Sequence, residues 1–482
     1  IRKILLMFGI YRVNTGLSCS IRQMMRRKGS RWNKSDIEII IKMHCSWIKG
    51  SLLLPDTGAI PRKKAKNACY KARFILYCKV IKKDWYTLMN YNFADRYEGI
   101  TGSAIRNIFA LLADPEIISF AGGNPSPDTF PGEELARISS DILKNDSATI
   151  LQYGGTYGRN SLLEVLSEFF TEGDKKPGAG EVIALSGSSQ GIDLMTKAFI
   201  QKGDTVLVES PTFLGALQTF KLFEANIVEV EMDENGMRMD DLEAKIKAYN
   251  PKFVYTIPTF QNPTGRTMPA ERRREMCQIC GKNGVLILED DPYAQLRYSG
   301  DPEPTIKSFD EYDVVVRLFS FSKIISPGIR VGGAYGNKDI IFKFNLGKQG
   351  QDVHTANMNQ EMAARYVREG LLFPHIAETA DYYRGKLAAM YDAAVKYLPE
   401  GTKIVKPEGG MFIWAELPEK LNATELFKEG VENKVAYVPG THFYAGGGHH
   451  NTLRLNFTMV SEEKIEKGYF FAFGDLCQRR CA

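Results

Sequence analysis

The sequence predicts an α/β fold of two parts, in which a large domain with a mostly parallel central sheet flanked by helices precedes a smaller α+β domain at the C-terminus. Short apolar segments alternate with helical segments from about residue 180 to 336, which is typical of consecutive βαβ units. Helical periodicity then continues through 354–369 and 371–398. A chain of 482 residues also exceeds what one hydrophobic core ordinarily organises.

The elements of this fold follow from local patterns along the chain. The segment 182–185 predicts the first strand of the large sheet, and 190–200 predicts an amphipathic helix after it. Further strands of that sheet are expected at 205–208, 252–257, 284–288, 313–319 and 330–335. In the smaller domain, the segments 410–415 and 452–457 predict strands.

Basic residues are concentrated in the first part of the chain. Residues 1–88 contain 20 Lys and Arg but only 4 Asp and Glu, a net charge of +16, whereas the remainder carries −11. The composition changes abruptly at Met89, where the sequence takes on the character of a native start. We therefore expect residues 1–88 to be a basic N-terminal extension that is non-native or disordered. The other expected divisions are an arm with part of the small domain at 89–135, a large domain at 136–370 and a small domain at 371–482.

Composition argues against membrane and metal-binding classes. Hydrophobic residues make up 44% of the chain, and no apolar run approaches the roughly 20 residues that span a bilayer. Cys277 and Cys280 form a CxxC pair with no second pair at zinc spacing, and the six histidines form no metal-binding motif. We interpret the thiols as reduced, which favours a cytoplasmic location, and we expect no metal site.

Three turns that follow predicted strands carry polar residues suited to binding a ligand. The turn 186–191 is small and rich in hydroxyls and opens a helix, as in sites that hold a phosphate. The turn 261–265 contains the amide of Asn262, and the acidic run Glu289-Asp290-Asp291 is followed by Tyr293. Because ligands bind at the carboxyl ends of parallel strands, we expect these residues to share one cleft.

Lys323 is the most specific of these features. It ends the run Ser320-Phe321-Ser322-Lys323 after the predicted strand 313–319, and Arg330 follows seven residues later. Burial or nearby cations would lower the pKa of such a lysine and free its amine for attack. Arg454 lies inside another predicted strand, where an arginine is costly unless paired. Its partner is therefore expected to be a substrate carboxylate or a structural acid.

Together these residues meet the requirements of pyridoxal-5′-phosphate (PLP) chemistry. The cofactor aldehyde needs a lysine amine, and its ring nitrogen needs a carboxylate that keeps it protonated. Its phosphate needs N–H groups, hydroxyls and a cation. The substrate carboxylate needs an arginine that can bind it through two hydrogen bonds. Each requirement has a candidate in this chain.

From about Met89 to residue 470 the chain resembles the class I/II aminotransferases of PLP fold type I, and especially their 2-aminoadipate/kynurenine branch. The motifs that carry the resemblance occur in one order along the chain. They are Ala121-Gly122-Gly123, Leu151-Gln152-Tyr153-Gly154, Ser186-Gly187-Ser188, Asn262-Pro263-Thr264-Gly265, Asp290-Asp291-Pro292-Tyr293, Ser320-Phe321-Ser322-Lys323 with Arg330, and Arg454.

The resemblance implies a role for each matching residue. Lys323 would form the internal aldimine with PLP and shuttle the proton, and Asp290 rather than Asp291 would pair with the ring nitrogen. Arg454 would take the substrate α-carboxylate. Asn262, which also borders the substrate, and Tyr293 would hold the phenolic oxygen O3′. The phosphate would be bound by Ser188, Ser189, Ser320, Ser322 and Arg330.

Other implied contacts involve a second subunit or a position where this chain departs from the branch. Tyr153 would reach the phosphate of the neighbouring subunit, so the active unit would be a homodimer. Phe213 would stack on the cofactor ring where tyrosine is frequent, and Ser189 stands where glutamine is common. Gly123 would lie under the substrate. Arg106 aligns with an arginine that meets a substrate side-chain carboxylate, the alternative being a surface arginine on the N-terminal arm.

The implied activity is PLP-dependent transfer of an amino group from an L-amino acid to a 2-oxo acid, with 2-oxoglutarate as the expected acceptor, by a ping-pong mechanism. Two alternatives stay open. The +16 segment could be the DNA-binding head of a transcription regulator, although residues 1–88 contain no clean helix-turn-helix pattern. A PLP-dependent β-lyase, decarboxylase or synthase could use the same fold, since the site rather than the scaffold sets the reaction. The expected partners are therefore small-molecule substrates, without nucleic acid or membrane.

Overall fold

The computed structural model describes residues 91, 93–98, 100, 114 and 116–474. The predictions for residues 1–88 and for Arg106 therefore lie outside the described residues. The described residues from Phe93 onward belong to one compact unit, and the expected domain boundaries within it stay a prediction. In this described part of the chain, no helix is both long and apolar enough to cross a membrane.

The strands of the described residues form two larger sheets and one two-stranded ladder. In chain order they are β1 (Ile118–Ser119), β2 (Val182–Leu185), β3 (Thr205–Ser210), β4 (Asn226–Asp233), β5 (Gly236–Met237), β6 (Phe253–Thr256), β7 (Leu286–Asp291), β8 (Val315–Ser320), β9 (Gly332–Tyr335), β10 (Lys403–Ile404), β11 (Phe412–Glu416), β12 (Val435–Ala436), β13 (Val438–Pro439) and β14 (Thr452–Asn456). The large sheet has the order β2-β9-β8-β7-β6-β3-β4-β5, and the smaller sheet has the order β10-β11-β14-β13. The remaining pair, β1 and β12, is parallel.

The large sheet is parallel in its centre and antiparallel toward its two ends. Strands β4, β3, β6, β7 and β8 run parallel to one another, whereas β9 pairs antiparallel with β8 and β2, and β5 pairs antiparallel with β4. Close approach of β9 to β8 depends on a glycine, because a Cβ atom at Gly332 would lie 2.4 Å from the carbonyl oxygen of Phe319. The central parallel strands therefore end on one common edge of the sheet.

Alternate residues of the central strands face two hydrophobic cores, one on each side of the sheet. In β3, Val206 and Val208 belong to one core, whereas Leu207 belongs to the other. This alternation follows from the two-residue period of a strand. Because both faces of the sheet are covered at its centre, strands such as β6 are buried and apolar along their length rather than alternately polar.

Twelve helices in the described part of the chain pack against the sheets and against one another. In chain order they are α1 (Gly132–Asn145), α2 (Ser147–Ile150), α3 (Asn160–Phe169), α4 (Ser188–Phe199), α5 (Leu214–Leu222), α6 (Met239–Tyr249), α7 (Ala270–Lys282), α8 (Lys338–Gln349), α9 (Asn357–Arg368), α10 (Leu372–Tyr397), α11 (Ala423–Glu432) and α12 (Glu462–Tyr469). In α1, for example, Ile138 and Ile142 are buried four residues apart, which places them on the same helix face. The buried thiols of Cys277 and Cys280 lie on α7 and form no disulfide.

The smaller sheet fixes the direction of a charged side chain. Strand β14 lies between β11 and β13, with Arg454 opposite Trp414 on one side and Val438 on the other. Both edges of this stretch of β14 are therefore hydrogen-bonded, and the Arg454 side chain leaves the strand from a fixed backbone position.

The predicted fold class is confirmed. Each predicted strand is present within a few residues of its expected bounds, and the expected helix 190–200 begins two residues earlier, at Ser188. Strand β4 was not predicted. It alternates apolar residues with Glu229 and Glu231, a pattern typical of a strand with one face toward water.

Candidate active site

The polar residues singled out in the sequence gather where the central parallel strands end. Strands β6, β7 and β8 end at Thr256, Asp291 and Ser320, and β3 ends at Ser210. The segments that carry the candidate residues follow directly from these ends. The cleft therefore lies where ligands bind in sheets of this kind, outside the carboxyl ends of the strands.

Lys323 lies in the short 3-10 turn that follows β8. The hydroxyl of Ser320 accepts a hydrogen bond from the backbone N–H of Ser322 at 3.2 Å and fixes the start of that turn. The Lys323 amine donates to the carbonyl oxygen of Gly123 at 2.8 Å. Burial, together with the charges of Arg454 and Arg330, lowers the pKa of Lys323 to about 8. An appreciable part of this amine is therefore neutral and nucleophilic near neutral pH.

The two aspartates at the end of β7 have different partners. Asp290 is 2% exposed, and its Oδ2 accepts a hydrogen bond from the Tyr255 hydroxyl at 2.9 Å. Its Oδ1 has no hydrogen-bond partner within the described part of the chain, and burial raises the pKa of this carboxyl to about 7. Asp291 forms a buried ion pair with Arg317 at 2.8 Å. Asp290 is thus the carboxylate that can still receive a cationic N–H group.

Asn262 and Tyr293 form a pair of donors on one side of the cleft. The Asn262 side-chain amide donates to the Tyr293 hydroxyl at 3.3 Å. Both side chains are buried, and burial raises the pKa of Tyr293 to about 12. The phenol therefore keeps its proton at neutral pH and remains able to donate it to an anionic oxygen.

Arg454 is a buried cation held by neutral groups. Its guanidinium donates to the Asn262 Oδ1 at 2.9 Å and to the carbonyl oxygens of Ala121 and Gly122 at 2.9 and 3.2 Å. It also lies 4.2 Å from the ring centroid of Phe412. Among the described residues no carboxylate pairs with it, and its Nε has no partner. Burial lowers the pKa of Arg454 to about 10, and a buried cation of this kind is suited to receive an anion.

A group of hydroxyls, N–H groups and one cation surrounds the start of α4. Ser188 is the first residue of that helix, which has no side-chain N-cap. Arg330 donates to the Ser186 carbonyl oxygen at 2.9 Å and to the Ser322 hydroxyl at 3.4 Å. Gly187, with a φ of +86°, leaves room for this arginine, because a Cβ atom there would lie 2.5 Å from its Nη2. The free helix N-terminus beside a cation can bind a phosphate.

Several predicted site residues are not buried in this cleft, among them Arg330, which is exposed where it reaches the Ser186 carbonyl oxygen. Ser189 is exposed, and Phe213 is half-buried at the residue that precedes α5. Tyr153 is 80% exposed, and its ring contacts that of His354 at 6.0 Å. Arg106 lies outside the described residues. Gly123, by contrast, is in the cleft, where its carbonyl oxygen receives the Lys323 amine.

Sequence reasoning did not find the residues that support the predicted ones. Tyr255 holds one oxygen of Asp290, and Arg317 pairs with its neighbour. Each comes from a strand adjacent to β7 in the sheet but distant in the sequence. A tyrosine or an arginine in an apolar strand is a weak signal for a buried polar partner, and it does not say which partner.

The groups in the cleft are suited to bind a cofactor and a substrate side by side. Pyridoxal phosphate fits four features of the cleft. They are the nucleophilic amine, the buried carboxylate oxygen without a partner, the two donors suited to a phenolic oxygen, and the helix N-terminus that can bind an anion. The guanidinium of Arg454, which has no carboxylate partner among the described residues, fits the carboxylate of an amino acid bound beside the cofactor.

Comparisons with known proteins agree with this chemistry. The family model for aminotransferase class I and II matches residues 115–469. Aromatic-amino-acid aminotransferase 1 of Thermococcus litoralis is 41% identical over 382 residues, which are 78% of this chain and 92% of that protein. A 2-aminoadipate transaminase of Thermus thermophilus is 37% identical over 372 residues, 77% of this chain and 92% of that protein.

The fold is also found in solved structures. Kynurenine aminotransferase of Pyrococcus horikoshii, determined in complex with PMP, is 38% identical to this chain. The match covers 81% of this chain and 98% of that one, with a TM-score of 0.77.

Proposed function

The chain belongs to the class I and II aminotransferases, and on this premise we propose that it moves the amino group of an L-amino acid to 2-oxoglutarate by a ping-pong mechanism. The observation that supports this most strongly is the meeting of three ionisable groups in one cleft. They are the Lys323 amine, the orphaned oxygen of Asp290 and the guanidinium of Arg454, which has no acidic partner among the described residues.

The enzyme depends on PLP, as its family does. When bound, PLP supplies an electron sink that stabilises negative charge at the substrate Cα. We assign Asp290 to the ring nitrogen, because a carboxylate there keeps that nitrogen protonated. Asn262 and Tyr293 would hold the phenolic oxygen. We assign the phosphate to Ser188, Ser189, Ser320, Ser322 and Arg330.

Lys323 has two tasks in the proposed reaction. Its amine would hold the cofactor in the resting enzyme and, when free, would accept the proton from the substrate Cα. A pKa of about 8 suits both tasks, because a base whose pKa lies near the working pH is partly unprotonated and still basic enough to accept a proton. The Gly123 carbonyl oxygen keeps the amine aimed into the cleft through their 2.8 Å hydrogen bond.

Arg454 orients the substrate in this proposal. Its guanidinium would bind the α-carboxylate through two hydrogen bonds, which fixes the substrate Cα relative to the Lys323 amine. Phe412 and Phe443 cover its faces at 4.2 and 5.0 Å. These rings exclude water from the guanidinium, so that the charge-assisted hydrogen bonds form in a medium of low polarity.

We also propose that two copies of the chain form the working unit. Tyr153 is largely exposed in the single chain, although the resemblance assigns it to a phosphate site. Both facts are accounted for if its hydroxyl reaches the site of a second subunit. Phe213 would stack on the cofactor ring of its own chain.

The amino donor is proposed from the relatives. One relative is named for aromatic amino acids, another for 2-aminoadipate, and a solved structure for kynurenine. We therefore propose donors with long or aromatic side chains. Arg106, the residue aligned with recognition of a side-chain carboxylate, lies outside the described residues and stays a prediction.

A half-reaction experiment tests the proposed function. The PLP-loaded protein is mixed with one amino acid at a time and no acceptor, using phenylalanine, tyrosine, kynurenine, 2-aminoadipate, glutamate and alanine. We expect one equivalent of pyridoxamine phosphate and of 2-oxo acid per site, and recovery of PLP when 2-oxoglutarate is added. Release of ammonia with pyruvate, or of carbon dioxide, while PLP is retained would instead indicate a lyase or a decarboxylase.

A further inference from the structure

Glu209 is a buried carboxylate that the proposed reaction does not use. It lies near the end of β3 and is 1% exposed. Among the described residues no lysine or arginine forms an ion pair with it, and Asp290 is the carboxylate whose charge acts on it. Burial raises its pKa to about 7, although three hydrogen bonds act in the opposite direction. A carboxylate kept in so unfavourable a place needs a structural or functional explanation.

Three donors converge on Glu209. The Thr256 hydroxyl donates to its Oε1 at 2.6 Å, and the Ile257 N–H donates to its Oε2 at 3.2 Å. The Gln261 side-chain amide donates to the same Oε2 at 3.0 Å. These bonds connect the ends of β3 and β6, which are adjacent in the sheet, to the turn that begins at Gln261.

Gln261 connects Glu209 to the turn that carries Asn262. Its Oε1 accepts hydrogen bonds from the Thr264 N–H at 2.8 Å and from the Thr264 hydroxyl at 2.7 Å. Its amide also donates to the Pro211 carbonyl oxygen at 2.8 Å. The side chain of Gln261 is therefore held at both ends, by Glu209 and Pro211 at its amide nitrogen and by Thr264 at its oxygen.

Asn262 is the residue within this closed turn that faces the cleft. Its amide reaches Tyr293 and its oxygen receives Arg454. Loss of the bond between Glu209 and Gln261 would leave the amide nitrogen of Gln261 held by the Pro211 carbonyl oxygen alone and loosen the turn on which Asn262 lies.

We infer that Glu209 is a positioning residue that acts through Gln261 to hold Asn262 against the phenolic oxygen of the bound cofactor. This inference rests on the proposed assignment of Asn262 to that oxygen. An amide that donates to the oxygen stabilises its negative charge. When Asn262 is misplaced, the phenolic oxygen loses a hydrogen-bond donor. The bound cofactor changes its absorption with pH, and the pKa of that change should then rise.

The test is a double-mutant cycle read by spectroscopic pH titration of the PLP-loaded protein. We expect Glu209→Ala and Asn262→Ala each to raise the spectroscopic pKa of the cofactor by about one unit, the scale of one hydrogen bond to a charged acceptor. Because both changes remove the same contact, the double variant should show no larger shift than Asn262→Ala alone. Glu209→Gln should lie close to the wild type, since the Thr256 hydroxyl can reverse its hydrogen bond and accept one from the new amide.

Glu289 provides a matched control. It is also fully buried, and it accepts hydrogen bonds from the backbone N–H groups of Ile306 and Lys307 at 2.8 and 3.0 Å. Glu289→Ala should reduce stability while leaving the spectroscopic pKa of the cofactor unchanged. If Glu209→Ala does not fold, Gln261→Ala removes the same link and should give the same shift.

Two outcomes would overturn the inference. One is a spectroscopic pKa in Glu209→Ala equal to that of the wild type, and the other is a shift that adds to that of Asn262→Ala. Failure of the proposed function would look different, because the wild-type protein would then form no pyridoxamine phosphate in the half-reaction, whatever the spectroscopic pKa of the variants.

Discussion

Arg454 combines a full charge with nearly complete burial, and its described hydrogen-bond partners are all neutral. We predict that Arg454→Gln lowers kcat/KM for the amino donor by roughly 30- to 1000-fold, which corresponds to the loss of about 2–4 kcal/mol from a buried charged pair. Steady-state kinetics with a good donor checks this value. Arg137→Gln, which removes an exposed pair with Glu369, is the control and should leave kcat/KM unchanged. A loss of less than about twofold in Arg454→Gln would rule out the assigned role.

The pKa of Lys323 determines how fast the cofactor-free protein takes up PLP. Only the neutral amine attacks, so the rate should rise about tenfold per pH unit below the pKa and become constant above about pH 8. Stopped-flow absorption between pH 6 and 10 measures the profile. In Arg454→Gln the plateau should move to higher pH, because one of the cations that lower the pKa is lost. A rate that still climbs near the pKa of an exposed lysine, about 10.4, would contradict a buried amine.

At the scale of single residues, the sequence indicated the residues that we propose to carry the chemistry, but it did not indicate the residues that hold them in place. Lys323, Asp290 and Asn262 occur in short motifs after strands, so local patterns indicate them. The partnership between Tyr255 and Asp290 joins two strands and 35 positions of sequence. Such pairs follow from sheet register, which a single sequence does not determine.

At the end of β7 we propose a structural role for Asp291 and a functional role for Asp290. We predict that Asp291→Asn lowers the free energy of unfolding by about 1–3 kcal/mol, because it weakens a buried hydrogen-bonded pair with Arg317. Transamination should persist in that variant. Asp290→Asn should fold and bind PLP but lose most of its activity, since a neutral amide does not keep the ring nitrogen protonated. Urea unfolding and the half-reaction distinguish the two effects, and the opposite pattern would assign the ring nitrogen to Asp291.

Secondary-structure elements were predictable where they are fully buried. Strand β6 is an apolar run between turns, and β8 is apolar except for Arg317 and Ser320, so the existence of both strands follows from composition. The order of the strands, and the antiparallel course of β9 between β2 and β8, depend on contacts such as that of Gly332 with Phe319. These contacts join distant segments, which is why the sequence located the strand β9 at 330–335 but did not indicate that it runs antiparallel to its neighbours.

At the scale of the whole molecule, a second subunit is proposed to complete each site. If Tyr153 serves the neighbouring subunit, Lys323→Ala and Tyr153→Ala should complement each other in mixed dimers. One site of the mixed dimer then has the wild-type Lys323 of one chain and the wild-type Tyr153 of the other. Subunits refolded together in equal amounts form about half mixed dimers, so roughly a quarter of wild-type activity should return.

The parent proteins are the controls for this experiment. Lys323→Ala should be inactive by itself, and Tyr153→Ala should be weakened. Activity in the mixture no higher than the sum of the two parents would mean that Tyr153 acts within its own chain or has no part in the site.

The most direct test of the central claim is to locate the lysine that carries the cofactor. Borohydride reduction of the PLP-loaded protein fixes the cofactor to its lysine, and mass spectrometry of the digest identifies the labelled peptide. We predict one phosphopyridoxyl group per chain, on Lys323. A label on a different lysine, such as the buried Lys348 or Lys386, or no label at all, would contradict the account.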